Sequence, residues 1–544
     1  MGECMQDRRT FLKGAGVFAV ASAAMAVTGC APQAKDESAS ADIGSRASAE
    51  DVTWDKEYDV VVCGAGIAGL VAAATVATEG DGATCLLLEK DAAPNGNSPF
   101  CLGMQMYTEH PDELLVYIKE LIGSATPEDV IEAYVDGLTE SLPWIKGLGA
   151  NEGDMRIGEW KPDAAKLGEY PELPNDDCVT SFGFTGKAGG AGHIHEFLEQ
   201  VIDQYADVVD YKTSTPLESL VQDADGIVVG VVAAGKSYKA SRGVIMCTGG
   251  FENDSDLMYT HTGVRGVKPI CGQANTGDGH RACMKVGADM WHMHGGAQFW
   301  MACRDLENKR HISKIWNYSN KRWGITVGVN GRRFYQDFDG CGAYGLFAGL
   351  EDAEALAKPD SDMSCNVGYR HGITQWGGNW THLPMPEKAW FVFDQNGLEA
   401  GAMDPEVSQD VVADGWAVAA DSIEELASLI EVPTEELTRT VALWNRYCDQ
   451  GEDEAFFRPA ETLQPISQAP YYAMLCAPAV LNTDGGPVRD AKARILDPFG
   501  NPIPHLYSAG EFGSIWGHLY VGSGNVGECS VFGRIAARSA LAGE

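Results

Sequence analysis

No Cys-x-x-Cys, no Cys-x-x-Cys-His and no cysteine–histidine cluster at zinc spacing occurs in this sequence of 544 residues. Their absence excludes covalent haem within the chain and leaves no metal site in view. The 15 cysteines are scattered. Cys63, Cys85 and Cys247 fall inside apolar runs, where a free thiol behaves as a small hydrophobe. An iron–sulfur cluster drawn from dispersed cysteines stays open. Basic residues are few, 40 against 77 acidic ones, for a net charge of −37. Such a surface repels nucleic acid and anionic lipid, so neither is expected as a partner. There is no internal repeat. The apolar run from Ala15 to Val27 is too short for an ordinary membrane anchor. What remains is ordinary: 45% apolar and 22% charged residues, and length enough for two or three domains.

Residues 1–30 read as a targeting segment. Arg8-Arg9-Thr10-Phe11-Leu12-Lys13 is a twin-arginine signal, a route that carries folded proteins. Val27-Thr28-Gly29-Cys30 resembles a lipobox in which Cys30 would be acylated; cleavage after a nearby Ala is the alternative. An exported, extracytoplasmic protein, tethered by lipid at Cys30, is therefore expected. Residues 31–55 are rich in Ala, Ser, Asp and Glu without periodicity and read as a mobile tether.

Order is expected from Tyr58-Asp59-Val60-Val61-Val62-Cys63, a β-branched run suited to a strand buried on both faces. A small-residue helix to about Thr78 and a strand at Cys85-Leu86-Leu87-Leu88-Glu89 complete a βαβ unit. Residues 226–234 and 237–247 read as paired strands. From about 300 to 465 aromatics and polar residues mix, with helices expected over 422–431 and 433–447 and Thr434 as an N-cap. The fold class expected is α/β. A Rossmann-like dinucleotide domain is split into 56–295 and 466–544 around an α+β capping domain at 296–465.

Gly64-Ala65-Gly66-Ile67-Ala68-Gly69 lies between the first strand and its helix. A lone GxGxxG is a weak signal, but here its required context is complete: Glu89, followed by Lys90, ends the next strand about twenty residues on. Gly64 permits the tight turn and Gly66 the approach of backbone to a pyrophosphate. Gly69 lets helix and strand close, and the helix N-terminus offers N–H groups and partial positive charge. Glu89 would accept hydrogen bonds from ribose hydroxyls.

Further motifs follow in order: Gly96-Asn97-Ser98, Thr248-Gly249-Gly250-Phe251, Asn275-Thr276-Gly277-Asp278-Gly279, Leu506-Tyr507-Ser508-Ala509-Gly510-Glu511, and Gly522-Ser523-Gly524-Asn525-Val526 leading to Phe532-Gly533-Arg534. Together they resemble the fumarate reductase flavoprotein and 3-oxosteroid dehydrogenase superfamily, over about 56–290 and 478–544. The resemblance implies an extended FAD, with Glu511 on its ribityl chain and Asn97-Ser98 beside the ring. The last helix, near Gly524 and Asn525, would point its N-terminus at the isoalloxazine. No histidine suggests covalent attachment, so FAD is expected to be non-covalent.

The departures from that family narrow the chemistry. Where fumarate reductases hold a dicarboxylate by histidines and arginines, this chain has Asn482, a position near Phe299, one near Val521 and, for the proton donor, Cys341. Neutral groups in a site shielded from water cannot hold two carboxylates. The loop His518-Leu519-Tyr520-Val521-Gly522-Ser523-Gly524 instead resembles that of 3-oxosteroid dehydrogenases. By that match the Tyr520 hydroxyl and the Gly524 N–H would grip a ketone oxygen, and Tyr170 would line the cavity. The proton-transfer tyrosine falls on Cys341, with Tyr344 three residues on. Arg333, after Arg332, is a further catalytic candidate, although both arginines also read as loop-anchoring ion pairs. His292 and His294, two apart on an expected strand, would face the same way but lack a third metal ligand. The expected function is reduction of an activated C=C bond (an enone, unsaturated lactone or acid) by hydride from flavin N5. Electrons would come from a separate membrane cytochrome or quinol-linked donor. The alternatives are a 3-oxosteroid-type dehydrogenase of a bulky ketone and a non-catalytic flavin electron carrier.

Overall fold

Val60, Val61 and Val62 are completely buried, and each side of their strand has its own core. Alternation along the strand Lys56–Cys63 sends Val60 and Val62 to a helical layer, while Tyr58, Val61 and Cys63 face Val231, Met246 and Leu506. A strand apolar on both faces belongs in the middle of a sheet covered twice, and that is its position. The computed structural model describes residues 47–101, 103–159, 170, 173–184, 193–304, 323–334, 371–372, 387–403, 408–458, 460–517 and 519–544. The targeting motifs, Cys30, Cys341 and Tyr344 lie outside the described residues.

Among the described residues the larger sheet has nine strands. Its parallel centre runs Val209–Lys212, Cys85–Leu88, Lys56–Cys63, Lys236–Met246 and Pro502–Ser508. Val228–Ala233 pairs antiparallel with Lys236–Met246 as the sequence suggests, Ala233 opposite Lys236. The tether reading needs correcting at its end. Ala47 and Ser48 pair with Val221 and Gln222, and Asp55 exchanges hydrogen bonds with Ser237. Two backbone pairings suffice to fix this stretch, and composition carries no trace of them. The opening helix Ile67–Glu79 packs closely on the closing helix Gly524–Ala542; both are built from small residues.

The second sheet is organised by one long strand, Tyr471–Thr483. Its first half pairs with Ala389–Asp394 and Ala417–Ala420, and its second half with Gly296–Ala302 and Lys268–Pro269. The sheet therefore draws on residues either side of the expected boundaries at 295 and 466. Strands of the larger sheet resume only at Arg494–Leu496. Helix Thr434–Gln450 covers this sheet with Leu437, Val441 and Trp444. Thr434 is its first residue and Pro433 holds the N-cap position, whereas Ser422 caps the preceding helix by accepting from Glu425 N.

Candidate functional site

The turn after Lys56–Cys63 is shaped by what a side chain would strike. Gly64 has φ +105°, and a Cβ there would collide with the Cys247 carbonyl; at Gly69 it would collide with the carbonyl of Gly64. The strand and the opening helix therefore meet only through these glycines. They form one wall of an open cleft of about 870 Å³, also lined by Ala65, Gly66, Ile67, Ala68, Glu89, Lys90, Asn97, Ser98, Thr248, Gly249, Thr276, Asp278 and Glu511. Six separate stretches of sequence are thus brought together.

Glu89 is 7% exposed; its carboxylate accepts from Ala65 N at 3.3 Å and from Asp91 N at 3.1 Å. Burial raises its pKa. Ser98 Oγ accepts from Ile67 N at 3.0 Å and caps the opening helix. Lys90 Nζ reaches Thr276 Oγ1 (2.6 Å) and Asp278 Oδ2 (2.8 Å), joining the second strand to the N-terminus of helix Asp278–Lys285, which follows Gly277. Thr248 Oγ1 is buried and without a hydrogen-bond partner. A glycine cradle, a carboxylate beside it and an unpaired hydroxyl in the wall fit a pyrophosphate-bearing dinucleotide.

At the other end, Asn97 Nδ2 donates to Glu252 Oε1 (2.8 Å) and to both oxygens of Glu511 (3.2 and 3.1 Å). Gly250 lies where a Cβ would strike both carboxylates, and Gly510 (φ +75°) turns the chain into Glu511. Burial first, and the neighbouring Glu252 second, push Glu511 well above the ordinary carboxylate range. Asn525, in the first turn of the closing helix, hydrogen-bonds Asp484, and Val526 packs on the main core.

The predicted catalytic residues fare differently. Gly524 N donates to Val521 O at 3.0 Å, so the N–H expected to grip a ketone is engaged within its own turn. Packing accounts for this glycine, since a Cβ would strike the Trp516 ring. Tyr170 is 1% exposed in the main core rather than on a cavity wall. Arg333 pairs with Asp453 at 2.9 Å, both nearly buried, and lies over the Trp444 and Phe456 rings. That makes it an anchor of the capping core, as the ion-pair reading holds; Arg332 likewise pairs with Glu436 at 2.7 Å. Leu519–Tyr520 is a strand whose Tyr520 lies opposite His371. His292 has φ +55° just past strand Met290–Trp291, so it is buried while His294 is exposed; the two do not share a face.

Sequence reasoning passed over Glu252, Asp484 and the buried pair Arg489–Glu528. Glu528 also accepts from Ser514 Oγ (2.6 Å) and Ile515 N (2.9 Å), and Arg489 donates to Gly510 O (3.4 Å). The pair ties the turn before Glu511 to the closing helix. Glu252 could have been noticed, because it directly follows the Thr248–Phe251 turn.

A family described as an FAD binding domain matches residues 59–526. The chain is 28% identical to the digoxin reductase of Eggerthella lenta, over 98% of this chain and 97% of that one. It is 27% identical to the vinyl phenol reductase of Lactiplantibacillus plantarum, over 83% and 89%. The solved structure of the 3-ketosteroid Δ1-dehydrogenase from Sterolibacterium denitrificans, in complex with 1,4-androstadiene-3,17-dione, superposes with a TM-score of 0.66. That alignment has 21% identity and covers 90% of this chain and 100% of the other, a likeness of fold.

Proposed function

Since this chain belongs to the FAD binding domain family and is an FAD-dependent oxidoreductase, we propose that it reduces an activated carbon–carbon double bond conjugated to a carbonyl, as in an enone, unsaturated lactone or unsaturated acid. FAD, when bound, supplies the two-electron exchange. The glycine turn 64–69 and Glu89 hold its adenosine and pyrophosphate end, while Asn97 and Glu511 hold the other. The observation that carries the choice of acceptor is Asn482. This neutral amide stands where the related fumarate reductases have a histidine, and it donates to the buried Asp484 carboxylate at 2.8 Å. Glu511 on the cleft wall, with Glu252 and Asp484 buried behind it and no cation paired to any of them among the described residues, is a poor host for a second carboxylate, which favours a substrate other than a dicarboxylate. The names of the two relatives, reductases of digoxin and of vinyl phenol, support the direction.

Tyr520 is the residue we assign to the substrate carbonyl, its hydroxyl donating to the oxygen on which negative charge builds. Tyr520→Phe is expected to lower the rate by about 10²-fold with FAD content unchanged, the loss of one such donor. Full activity would remove the role. The twin-arginine and lipobox motifs support action outside the cytoplasm, where a separate cytochrome- or quinone-linked chain would deliver electrons. Lysines in place of Arg8 and Arg9 should then retain the protein in the cytoplasm.

The fold shared with a steroid dehydrogenase, together with the Leu519–Tyr520 loop, favours one second reading: the same chemistry run as dehydrogenation of a bulky ketone. One experiment separates them. Protein reduced anaerobically with viologen is mixed with enones, cinnamates, steroids and dicarboxylates, and the oxidised protein with saturated ketosteroids and a dye. Reoxidation by an enone supports reduction, and dye bleaching by a ketosteroid supports dehydrogenation. Fast turnover of fumarate would sink both.

A further inference from the structure

Behind the cleft three carboxylates converge with too few donors. Glu252 follows the Thr248–Phe251 turn, Glu511 follows Gly510, and Asp484 ends the long capping strand. Glu252 and Asp484 are buried and Glu511 is partly buried, and among the described residues none is paired with a lysine, arginine or histidine. The single amide group of Asn97 faces one oxygen of Glu252 and both of Glu511. It has only two hydrogens for three oxygens. Asn275 Nδ2 (2.7 Å) and Thr483 Oγ1 (3.2 Å) also serve Glu252, so Glu511 is the poorer in donors. Asp484 accepts from Asn482 and Asn525, yet its Oδ2 is fully buried with no partner.

Two ionised carboxylates bridged by one amide, with no cation paired to either among the described residues, repel each other; one proton between them removes the conflict. The geometry points to a single proton shared by Glu252 and Glu511, with Glu252, which does not line the cleft, acting as a positioning residue for Glu511, which does. The pair then presents one negative charge to the cofactor instead of two, and the Asn97 amide is sufficient to orient both. Among the described residues, the titratable groups facing the pair are Asp484 and the thiols of Cys271 and Cys529. All three are shifted upward by burial, so none supplies a compensating charge. The inference goes beyond the proposed reaction and does not depend on it, because a shared proton is read on the protein itself.

Isotope-edited infrared spectroscopy of the holoprotein tests it. Carbon-13-labelled glutamate separates glutamic acid carbonyls from that of Asp484. At neutral pH the wild type should show a protonated glutamic acid carbonyl that shifts in heavy water. Both Glu252→Gln and Glu511→Gln, which keep the shape and mimic the protonated acid, should lose it. A merely structural role for Glu252 predicts no such band. If the wild type lacks it, or if it persists in both variants, the assignment is wrong. The wild-type spectrum decides the first point even if a variant fails to fold, and neither outcome touches the choice of substrate.

Discussion

The two sheets of this protein are secured by different means. In the nine-stranded sheet the decisive contacts are made by backbone: Gly64 against Cys247, Gly69 against Gly64, and two small-residue helices packed closely together. Thr248 Oγ1, on the wall of the cleft, is buried without a hydrogen-bond partner. In the six-stranded sheet side chains carry the packing, although the indole N–H groups of Trp390 and Trp416 are buried without hydrogen-bond partners. Arg333 and Arg458 lie over the Trp444 ring, both at 4.8 Å, Asp453 pairs with Arg333, and the Trp444 indole donates to Gln464 O at 2.8 Å. The first lobe closes on its ligand through backbone that tolerates no side chain, whereas the second is held by charged and aromatic side chains packed on one another. If that contrast is real, substitutions in the first lobe should release flavin, and those in the second should lower stability without doing so.

The largest effect is expected at the buried pair. Glu528→Ala strands Arg489 without a counter-charge and removes the acceptor for Ser514 and Ile515. A loss of about 4 kcal/mol is expected, since breaking a buried ion pair leaves a desolvated charge. Chemical denaturation checks this, and flavin released to the filtrate checks the link to Glu511. Replacing both partners with apolar residues, Arg489→Met with Glu528→Leu, should recover most of the stability. Next comes Gly64→Ala, expected to destabilise by about 3 kcal/mol from left-handed strain plus collision, and to empty the site of flavin. Gly149→Ala is its control. That residue has φ +100° but open space around it, so only the backbone strain of about 1 kcal/mol should appear, with flavin retained.

How far the sequence foretold this follows from the same contrast. Gly64 to Gly69 and Glu89 were legible because backbone geometry ties residue type to position, whatever the rest of the chain does. Arg489 and Glu528 were not, since only tertiary folding brings them together. Gly524 shows a motif matched while its role is misassigned. Ser523, at φ +69°, turns the backbone so that the Gly524 N–H meets Val521 O, and no residue type announces that angle. His292 and His294 fail likewise: alternation holds only while a strand continues, and the φ of His292 ends it. The boundary near 466 follows a change in composition, but Tyr471–Thr483 is shared property, beginning in the capping core and ending at Phe251, whose N–H donates to Thr483 Oγ1 at 3.0 Å.

Arg333→Met probes the capping side. Methionine can still fill the space over the two rings, so the substitution removes charge more than volume. Asp453 keeps hydrogen bonds from Ala455, Phe456 and Arg458 N, which limits the loss to about 2 kcal/mol. Flavin content and turnover should stay at wild-type levels. A variant that folds yet loses turnover would restore Arg333 as a catalytic candidate and blur the division between the lobes.

The smallest effect at neutral pH, one that emerges only on acidification, is a pH slope. His280 is fully buried beside Gly485 O at 2.9 Å, and desolvation lowers its pKa to about 4. The unfolded chain takes up this proton near 6.5, the folded chain only near 4. Stability from His280 is therefore whole above pH 6.5 and falls by about 1.4 kcal/mol per pH unit below it. Glu252, Glu511 and Asp484 carry the opposite sign: their raised pKa values favour the folded state as pH falls. The parent protein's net slope mixes the two, so the informative quantity is its difference from His280→Gln. That difference should be flat above pH 6.5 and fall between 6.5 and 4. Asp453, shifted downward by Arg333 and its backbone donors despite its burial, is the counterpart in the capping lobe. Its stability is present above its unfolded value of 3.8 and is lost only below that, so Asp453 adds no slope to the parent over the His280 window. A slope that appears in that window only in Arg333→Met would mean that Asp453, stripped of its cation, takes up a proton there, and that the capping lobe too depends on a buried charge.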